Sequence, residues 1–229
     1  MCSAHRADND LIFVIRSHSR FRSIASGILT EYCVDFDEIW IELPADTQTV
    51  SINEGQTLSF RGNLTPNSSN GIGTFTVDKN YDLKGNVMSM LFGDKARNNF
   101  SLNAKNYAFY KLFYNNNTLK TISSNFLPAT TLADSCYYRM FYNCKLLTTA
   151  PELPATTLAS SCYSSMFRGC IRLNYIKMLA TDISASVCLS NWVNNVSTSG
   201  TFVKHPDMTS LPTGTSGIPS GWTVEDAVI

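Results

Sequence analysis

Apolar residues recur at a fixed interval through the second half of this 229-residue chain. The stretch LPATTLADSCYYRMFYNC, residues 127–144, returns 26 positions later as LPATTLASSCYSSMFRGC, with its Leu, Pro, Cys, Met and Phe in place. Cys188 and Trp192 continue the interval into a degraded copy, and YAFYKLFYNNNTL forms an earlier copy at an offset of 28. One step further back, VMSMLFGD fits the same positions. A repeat of roughly 20–50 residues is typical of a solenoid, and we expect this one to begin near residue 85.

Within one copy, the apolar spacing predicts a short helix. Leu132, Cys136 and Met140 are spaced i, i+4, i+8, which forms one apolar stripe over about two helical turns. Short β-permissive segments, with Pro128 and Pro154 at their corners, link the helices. Two residues after each Phe-type position stands a residue that suits the left-handed conformation at a helix end. These predicted helix ends are Asp94, Asn115, Asn143, Gly169 and Asn195.

Stacking of the copies explains which positions are kept. A single copy cannot bury its apolar face alone, whereas neighbouring copies share one core. We therefore predict that Met140, Met166 and Trp192 are buried, that Ser165 lies on the outer face, and that Gly169 has a positive φ.

A different pattern precedes the repeats. IWIEL, TVSIN, TLSFRGN and TFTVD alternate apolar and polar residues, as half-buried strands do. Residues 53–56 are predicted to form a hairpin turn between the second and third of these strands. The predicted fold class is α+β, a solenoid of short strands and short helices preceded by a small β-rich module. The predicted division is an N-terminal segment of uncertain order (1–35), a β-rich capping module (36–84), the repeats (85–204) and a C-terminal cap (205–229).

Composition and charge exclude several classes of protein. With 44% hydrophobic residues, the chain is able to bury a sizeable core. Its 18 basic and 18 acidic residues give a formal net charge of zero, so the whole molecule has no strong attraction for nucleic acid or anionic membrane. No apolar run approaches the ~20 residues that span a bilayer. The run LIFVI is shorter than the core of a secretory signal, so we expect no membrane-spanning segment and no export signal.

The sequence also lacks the patterns of catalytic and metal sites. Cys136, Cys144, Cys162 and Cys170 form two CX7C pairs, whereas structural zinc sites use closer pairs. Burial as small apolar thiols is the favoured interpretation, and a disulfide within a pair stays open as an alternative. The three histidines lie outside the repeats, and neither a nucleophile elbow nor a phosphate loop is present. We expect no catalytic residues, no cofactor and no metal, and we predict that the protein is not an enzyme.

The repeats are locally basic. Residues 100–180 contain eight Lys and Arg but only two acidic residues. Lys111 and Arg139 occupy the same position in adjacent copies, and Tyr110 is close to them. A basic surface with tyrosines suits an acidic glycan, a protein or a nucleic acid backbone, and a solvated helix face is the alternative. Because binding residues should be those that differ between copies, the candidates are Tyr138, Arg139, Tyr142, Arg168 and Arg172.

The repeated residues carry a family resemblance. MFYNCKLL and MFRGCIRL resemble the Phe, Gly-Cys, Leu element of BspA-like leucine-rich repeats, and LPATTLASSCYSSMFRGC is similar to the 26-residue repeats of bacterial surface proteins. The resemblance covers roughly residues 50–229 and is most specific within the repeats. It implies a leucine-rich-repeat-like solenoid located at the cell surface or outside the cell.

The function implied by this resemblance is non-catalytic recognition or adhesion. The expected partner is a host or bacterial surface protein or glycan, bound through the solvent face of the repeats, and nucleic acid is not the expected partner. One alternative is a structural or receptor-binding component of a phage tail or fibre. A second alternative is a basic module that binds an anionic polymer. The oligomeric state is left open.

Overall fold

The protein is built mostly of strands and turns. The computed structural model describes residues 11–15, 19–24, 30–35, 41–43, 49–62, 64–66 and 71–229. The strands in chain order are β1 (Leu11–Ile15), β2 (Ser19–Ile24), β3 (Thr30–Val34), β4 (Ile41–Leu43), β5 (Thr49–Ile52), β6 (Thr57–Gly62), β7 (Thr74–Val77), β8 (Tyr81–Gly85), β9 (Leu119–Ile122), β10 (Tyr175–Met178), β11 (Thr201–Lys204) and β12 (Thr223–Asp226). A single four-residue α-helix, α1 (Ser89–Phe92), and two 3-10 helices, Gly93–Asn98 and Ser124–Phe126, complete the described elements.

The strands form three sheets. The largest has the order β4-β3-β6-β1-β8-β9, the second has the order β5-β2-β7, and the third is the parallel set β10-β11-β12. The four strands predicted before the repeats are confirmed as β4, β5, β6 and β7. The predicted hairpin is wrong, because β5 and β6 belong to different sheets. A turn does lie between them, where the Gln56 N–H donates to the Asn53 carbonyl at 3.2 Å.

The predicted α+β solenoid of short strands and short helices is wrong. In the described part of the chain the only α-helix is α1, and the segments predicted as helices are runs of turns. Every fourth residue in these runs has a positive φ, which a right-handed helix does not accommodate. These residues are Tyr107, Lys111 and Asn115; Ser135, Arg139 and Asn143; Ser161, Ser165 and Gly169; and Val187, Asn191 and Asn195.

The turn runs are held side by side by backbone hydrogen bonds. Within a run, the Met140 N–H donates to the Tyr137 carbonyl three residues earlier, at 3.1 Å. The neighbouring N–H groups point to the next run, and Arg139 donates to Ser164 while Phe141 donates to Met166, both at 3.1 Å. We call residues 107–115, 135–143, 161–169 and 187–195 the first to fourth turn segments, and together the turn ladder.

The buried positions of the turn ladder agree with the sequence pattern. Met140, Met166 and Trp192 are fully buried, as predicted. Rings of equivalent residues stack between segments: Phe141 lies 5.6 Å from Phe113, measured between ring centroids, at an interplanar angle of 3°. Because neighbouring segments are hydrogen-bonded in register, residues at one position form a column through the core.

The left-handed conformation predicted at five positions is confirmed at four of them. Gly169 has a φ of 81°, which confirms the prediction, and the predicted left-handed residues Asn115, Asn143 and Asn195 also have positive φ. Asp94 does not follow this pattern, because it lies in the 3-10 helix Gly93–Asn98.

The prediction that Ser165 lies on the outer face is wrong. Its exposed fraction is only 6%. Its N–H donates to the Ser190 carbonyl at 2.8 Å, which places the residue between two neighbouring turn segments.

The cysteines are buried thiols. All six described cysteines are free, so no disulfide joins them, and the favoured interpretation is confirmed. The Cys144 and Cys170 thiols donate to the Phe113 and Phe141 carbonyls at 3.2 and 3.0 Å. Burial raises the pKa of Cys136 and of Cys170 to about 12. These thiols therefore pack in the core as neutral groups.

Strand β7 lies against the first turn segment. The Phe75 N–H donates to the Leu112 carbonyl at 2.8 Å, and the Thr74 hydroxyl donates to the Lys111 carbonyl at 2.9 Å. Strand β1, within residues 1–35, pairs with β6 and β8. The predicted division into four segments stays a prediction. Among the described residues, no helix has the length and apolar character needed to cross a membrane.

Candidate binding face on the turn ladder

Two pairs of tyrosines stack on the first and second turn segments. Tyr110 lies 5.4 Å from Tyr138 with 12° between the ring planes, and Tyr114 lies 4.9 Å from Tyr142 with 19° between the planes. The hydrogen bonds between segments, such as that from the Lys111 N–H to the Tyr138 carbonyl at 3.0 Å, produce this alignment. All four rings are partly exposed, so they form the outer counterpart of the buried Phe column.

A cation lies beside each tyrosine. The Lys111 ammonium is 4.9 Å from the Tyr110 ring centroid and 5.3 Å from that of Tyr114. These distances are within the range of cation–π attraction. The corresponding distances from the Arg139 guanidinium are 5.0 Å to Tyr138 and 5.7 Å to Tyr142.

Arg168, from the third segment, is 5.8 Å from Tyr142. The tyrosine–cation face is defined by these seven residues: Tyr110, Lys111, Tyr114, Tyr138, Arg139, Tyr142 and Arg168.

The positive charges of this face have no acidic partner among the described residues. The ion pairs described elsewhere in the chain do not include Lys111, Arg139 or Arg168. The Arg139 Nε atom is buried and has no hydrogen-bond partner within the described residues. Among the described residues the three cations contact ring faces and no acidic group, which leaves a local positive potential.

The face ends at the third turn segment. The position of Tyr110 and Tyr138 is occupied there by Ser164 and in the fourth segment by Ser190. The position of Lys111 and Arg139 is likewise occupied by Ser165 and then by Asn191. Large aromatic and cationic side chains are therefore concentrated on the first two segments, with Arg168 at the boundary.

The structure brings together four of the five predicted binding residues. Tyr138, Arg139, Tyr142 and Arg168 belong to the face. The fifth, Arg172, is exposed and contacts none of these rings within the described residues. It lies after Gly169, where the turn segment has ended, so its backbone is no longer in register with the face.

Sequence reasoning missed Tyr114 as a member of the face. Tyr110 and Lys111 were expected near the basic surface but were not chosen as binding residues. The 28-residue offset that aligns Tyr110 with Tyr138 also aligns Tyr114 with Tyr142. The signal was therefore present in the sequence.

Comparison of the chain with protein-family models, with curated proteins and with solved structures finds no match. A fold alone does not determine a function, and the tyrosine–cation face is the part of the described chain whose chemistry suits a partner.

Proposed function

We propose that this chain is a non-catalytic binding protein that recognises a protein or glycan partner through the tyrosine–cation face. The observation that supports this most directly is the set of three cations, Lys111, Arg139 and Arg168. Each lies against one or two tyrosine rings, and none has an acidic partner among the described residues. The proposal includes a cell-surface or extracellular location, which rests on the repeat resemblance.

The chemistry of the face suits an anionic partner. Tyr and Arg are the residue types in which binding energy concentrates at interfaces. A guanidinium that lies over a ring keeps its N–H donors at the edge of the plane, where they remain able to bind a carboxylate or sulfate. Stacking between tyrosines also fixes the rings before binding, which lowers the entropy lost when the partner docks.

The backbone supports this arrangement. Lys111 and Arg139 have φ values of 56° and 55°, a conformation that costs a residue with a Cβ about 1–2 kcal/mol. The hydrogen bonds of the turn ladder hold these residues there, so the two cations occupy fixed positions. A partner therefore meets a preorganised surface.

A charge-matched pair of triple variants tests the proposal. Lys111, Arg139 and Arg168 are replaced together by Ser, and the control replaces three exposed cations outside the face by Ser: Lys84, Lys95 and Arg97. Binding is measured by fluorescence anisotropy with labelled heparin, polyglutamate and neutral dextran, at about 0.05 M and about 0.3 M salt.

The face variant should bind heparin or polyglutamate at least about tenfold more weakly than the control variant does. The higher salt concentration should weaken binding to the unmodified chain. Equal losses in the two variants would indicate a general charge effect and contradict the proposal, as would the absence of binding to both anionic probes.

Sedimentation of the purified chain separates this function from a role as a fibre component. A monomer that binds an anionic probe fits the proposal. An obligate oligomer whose face is buried between subunits contradicts it, because a buried face is closed to an outside partner.

A further inference from the structure

The backbone hydrogen bonds of the turn ladder are incomplete at its last segment. Each of the first three segments donates five N–H groups, four to the next segment and one to the residue just before it. In the third, the donors are Ser161, Tyr163, Ser165, Phe167 and Gly169, and the acceptors are Ser186, Cys188, Ser190, Trp192 and Asn194.

In the fourth segment, only two of the five equivalent N–H groups donate to a further row. The Asn191 N–H donates to the Ser216 hydroxyl at 2.9 Å, and the Val193 N–H donates to the Thr215 carbonyl at 3.2 Å.

The other three donors of the fourth segment have no backbone acceptor among the described residues. They are the N–H groups of Val187, Leu189 and Asn195, and their counterparts in the third segment are all bonded. An edge with unpaired backbone donors is a template for pairing with another chain. The residues 215–216 begin a further row of acceptors but do not extend over Val187 and Leu189.

A cavity of about 350 Å³ lies at this unpaired edge. Val187, Leu189, Ser190 and Pro212 are among its lining residues. The cavity is shallow and open to solvent. Within the described part of the chain its lining contains no charged side chain, so it suits a neutral and largely apolar occupant.

We infer that this edge binds a short apolar peptide segment of a partner protein, whose carbonyls accept hydrogen bonds from the Val187 and Leu189 N–H groups. The two donors are separated by one residue, as the bonded donors are in every preceding segment. A polypeptide backbone supplies acceptors at that spacing, and apolar side chains fill the uncharged cavity. This site is distinct from the tyrosine–cation face and does not depend on it.

The proposed occupant is a partner protein and not a second copy of this chain. The first turn segment of a second copy would offer the equivalent acceptors, and β7 already lies against that segment, where the Phe75 N–H donates to the Leu112 carbonyl. Dimerisation of the purified chain through this edge, seen by sedimentation, would contradict the assignment to a partner protein.

The experiment begins with a displayed library of random peptides of about twelve residues, selected on the intact chain. The consensus peptide is synthesised and its affinity is measured by fluorescence anisotropy. Ser190→Tyr puts a ring at the cavity lining, and Ser164→Tyr makes the same change one segment earlier, outside the lining. Tyrosine occupies this position in the first two segments, so the backbone accommodates both changes.

An apolar consensus is expected, with affinity lowered at least about tenfold by Ser190→Tyr and unchanged by Ser164→Tyr. Amide hydrogen exchange by NMR gives a second readout that needs no variant. The peptide should slow exchange at Val187 and Leu189, and leave Ser161 and Tyr163 unchanged because they are already bonded. A library without binders, a peptide whose affinity survives Ser190→Tyr, or unaltered exchange at Val187 and Leu189 would overturn the inference.

Discussion

Val187 is the residue at which the backbone of the turn ladder conflicts most with its side chain. Its φ is 48°, and its side chain is 59% exposed. The same position holds Ser135 and Ser161 in the preceding segments. A β-branched side chain is an outlier in the left-handed region, because both branches crowd the neighbouring carbonyl groups. Asparagine tolerates this region, so we expect Val187→Asn to stabilise the protein.

The magnitude follows from two opposing terms. Relief of the left-handed conformation contributes about 1–2 kcal/mol. Full burial of a valine is worth at least about 1.5 kcal/mol. Because more than half of the Val187 side chain is exposed, the substitution loses only about 0.6 kcal/mol of that burial. The expected net gain is about 0.4–1.4 kcal/mol, and each kcal/mol raises the melting temperature by roughly 2–4 °C in a chain of this length.

Val224→Asn is the matched control. Val224 is 43% exposed and lies in strand β12, where asparagine is disfavoured by up to about 1 kcal/mol. The same chemical change should therefore raise the urea midpoint at residue 187 and lower it at residue 224, with an unchanged dependence on urea concentration. Tryptophan emission reports unfolding, because Trp192 is fully buried. A loss of stability at both positions would refute the argument from backbone strain.

Three further predictions concern the core. Met166→Ala should lower the free energy of unfolding, measured in urea, by about 2–5 kcal/mol, because Met166 is fully buried. Lys145 is exposed, so Lys145→Ala should change that free energy by no more than about 0.5 kcal/mol. Equal losses at the two positions would argue against a shared core. Gly169→Val should cost more than ~1 kcal/mol and more than Gly55→Val. Both glycines have positive φ, but only at Gly169 does an added Cβ meet a neighbour, the Asn143 amide oxygen; a smaller cost at Gly169 would contradict this. Stability should fall from pH 9 towards 12, because burial raises the pKa of Cys136 from 9.0 to about 12, so the unfolded thiol ionises first. This thiol contributes about 1.4 kcal/mol per pH unit, and Cys136→Ala should reduce the slope measured by urea unfolding at several pH values.

Several features of the fold could be predicted because they depend on side-chain chemistry. The burial of Met140 and Met166 followed from their repeated apolar character, and the positive φ of Gly169 followed from the residue types that share its position. The alternation of residues 57–62 predicted strand β6. Each of these inferences needed only the residue types and their spacing along the chain.

The local conformation of the repeats was mispredicted because one spacing fits two structures. Apolar residues at i, i+4 and i+8 place a stripe on a helix. A turn that repeats every four residues buries the same positions, and the pairs Cys136–Tyr137 and Met140–Phe141 are both buried. The left-handed residues at Ser135, Arg139 and Asn143 distinguish the two structures. A serine or an arginine in the sequence does not indicate a positive φ. Hydrogen bonds to the next segment impose that conformation.

The same backbone explains why four of the predicted binding residues meet. In a helix, Tyr138 and Tyr142 would be neighbours on one face, and their spacing would not place them over residues of another copy. In the turn ladder each is also placed over the equivalent residue of the preceding segment, so a tyrosine repeated in two copies becomes a stacked pair. The register is carried by backbone N–H and carbonyl groups, which every residue here possesses. Outer side chains are therefore free to change from Tyr to Ser without loss of the hydrogen bonds that align them, so the tyrosine–cation face stays confined to the first segments while the core continues beneath it.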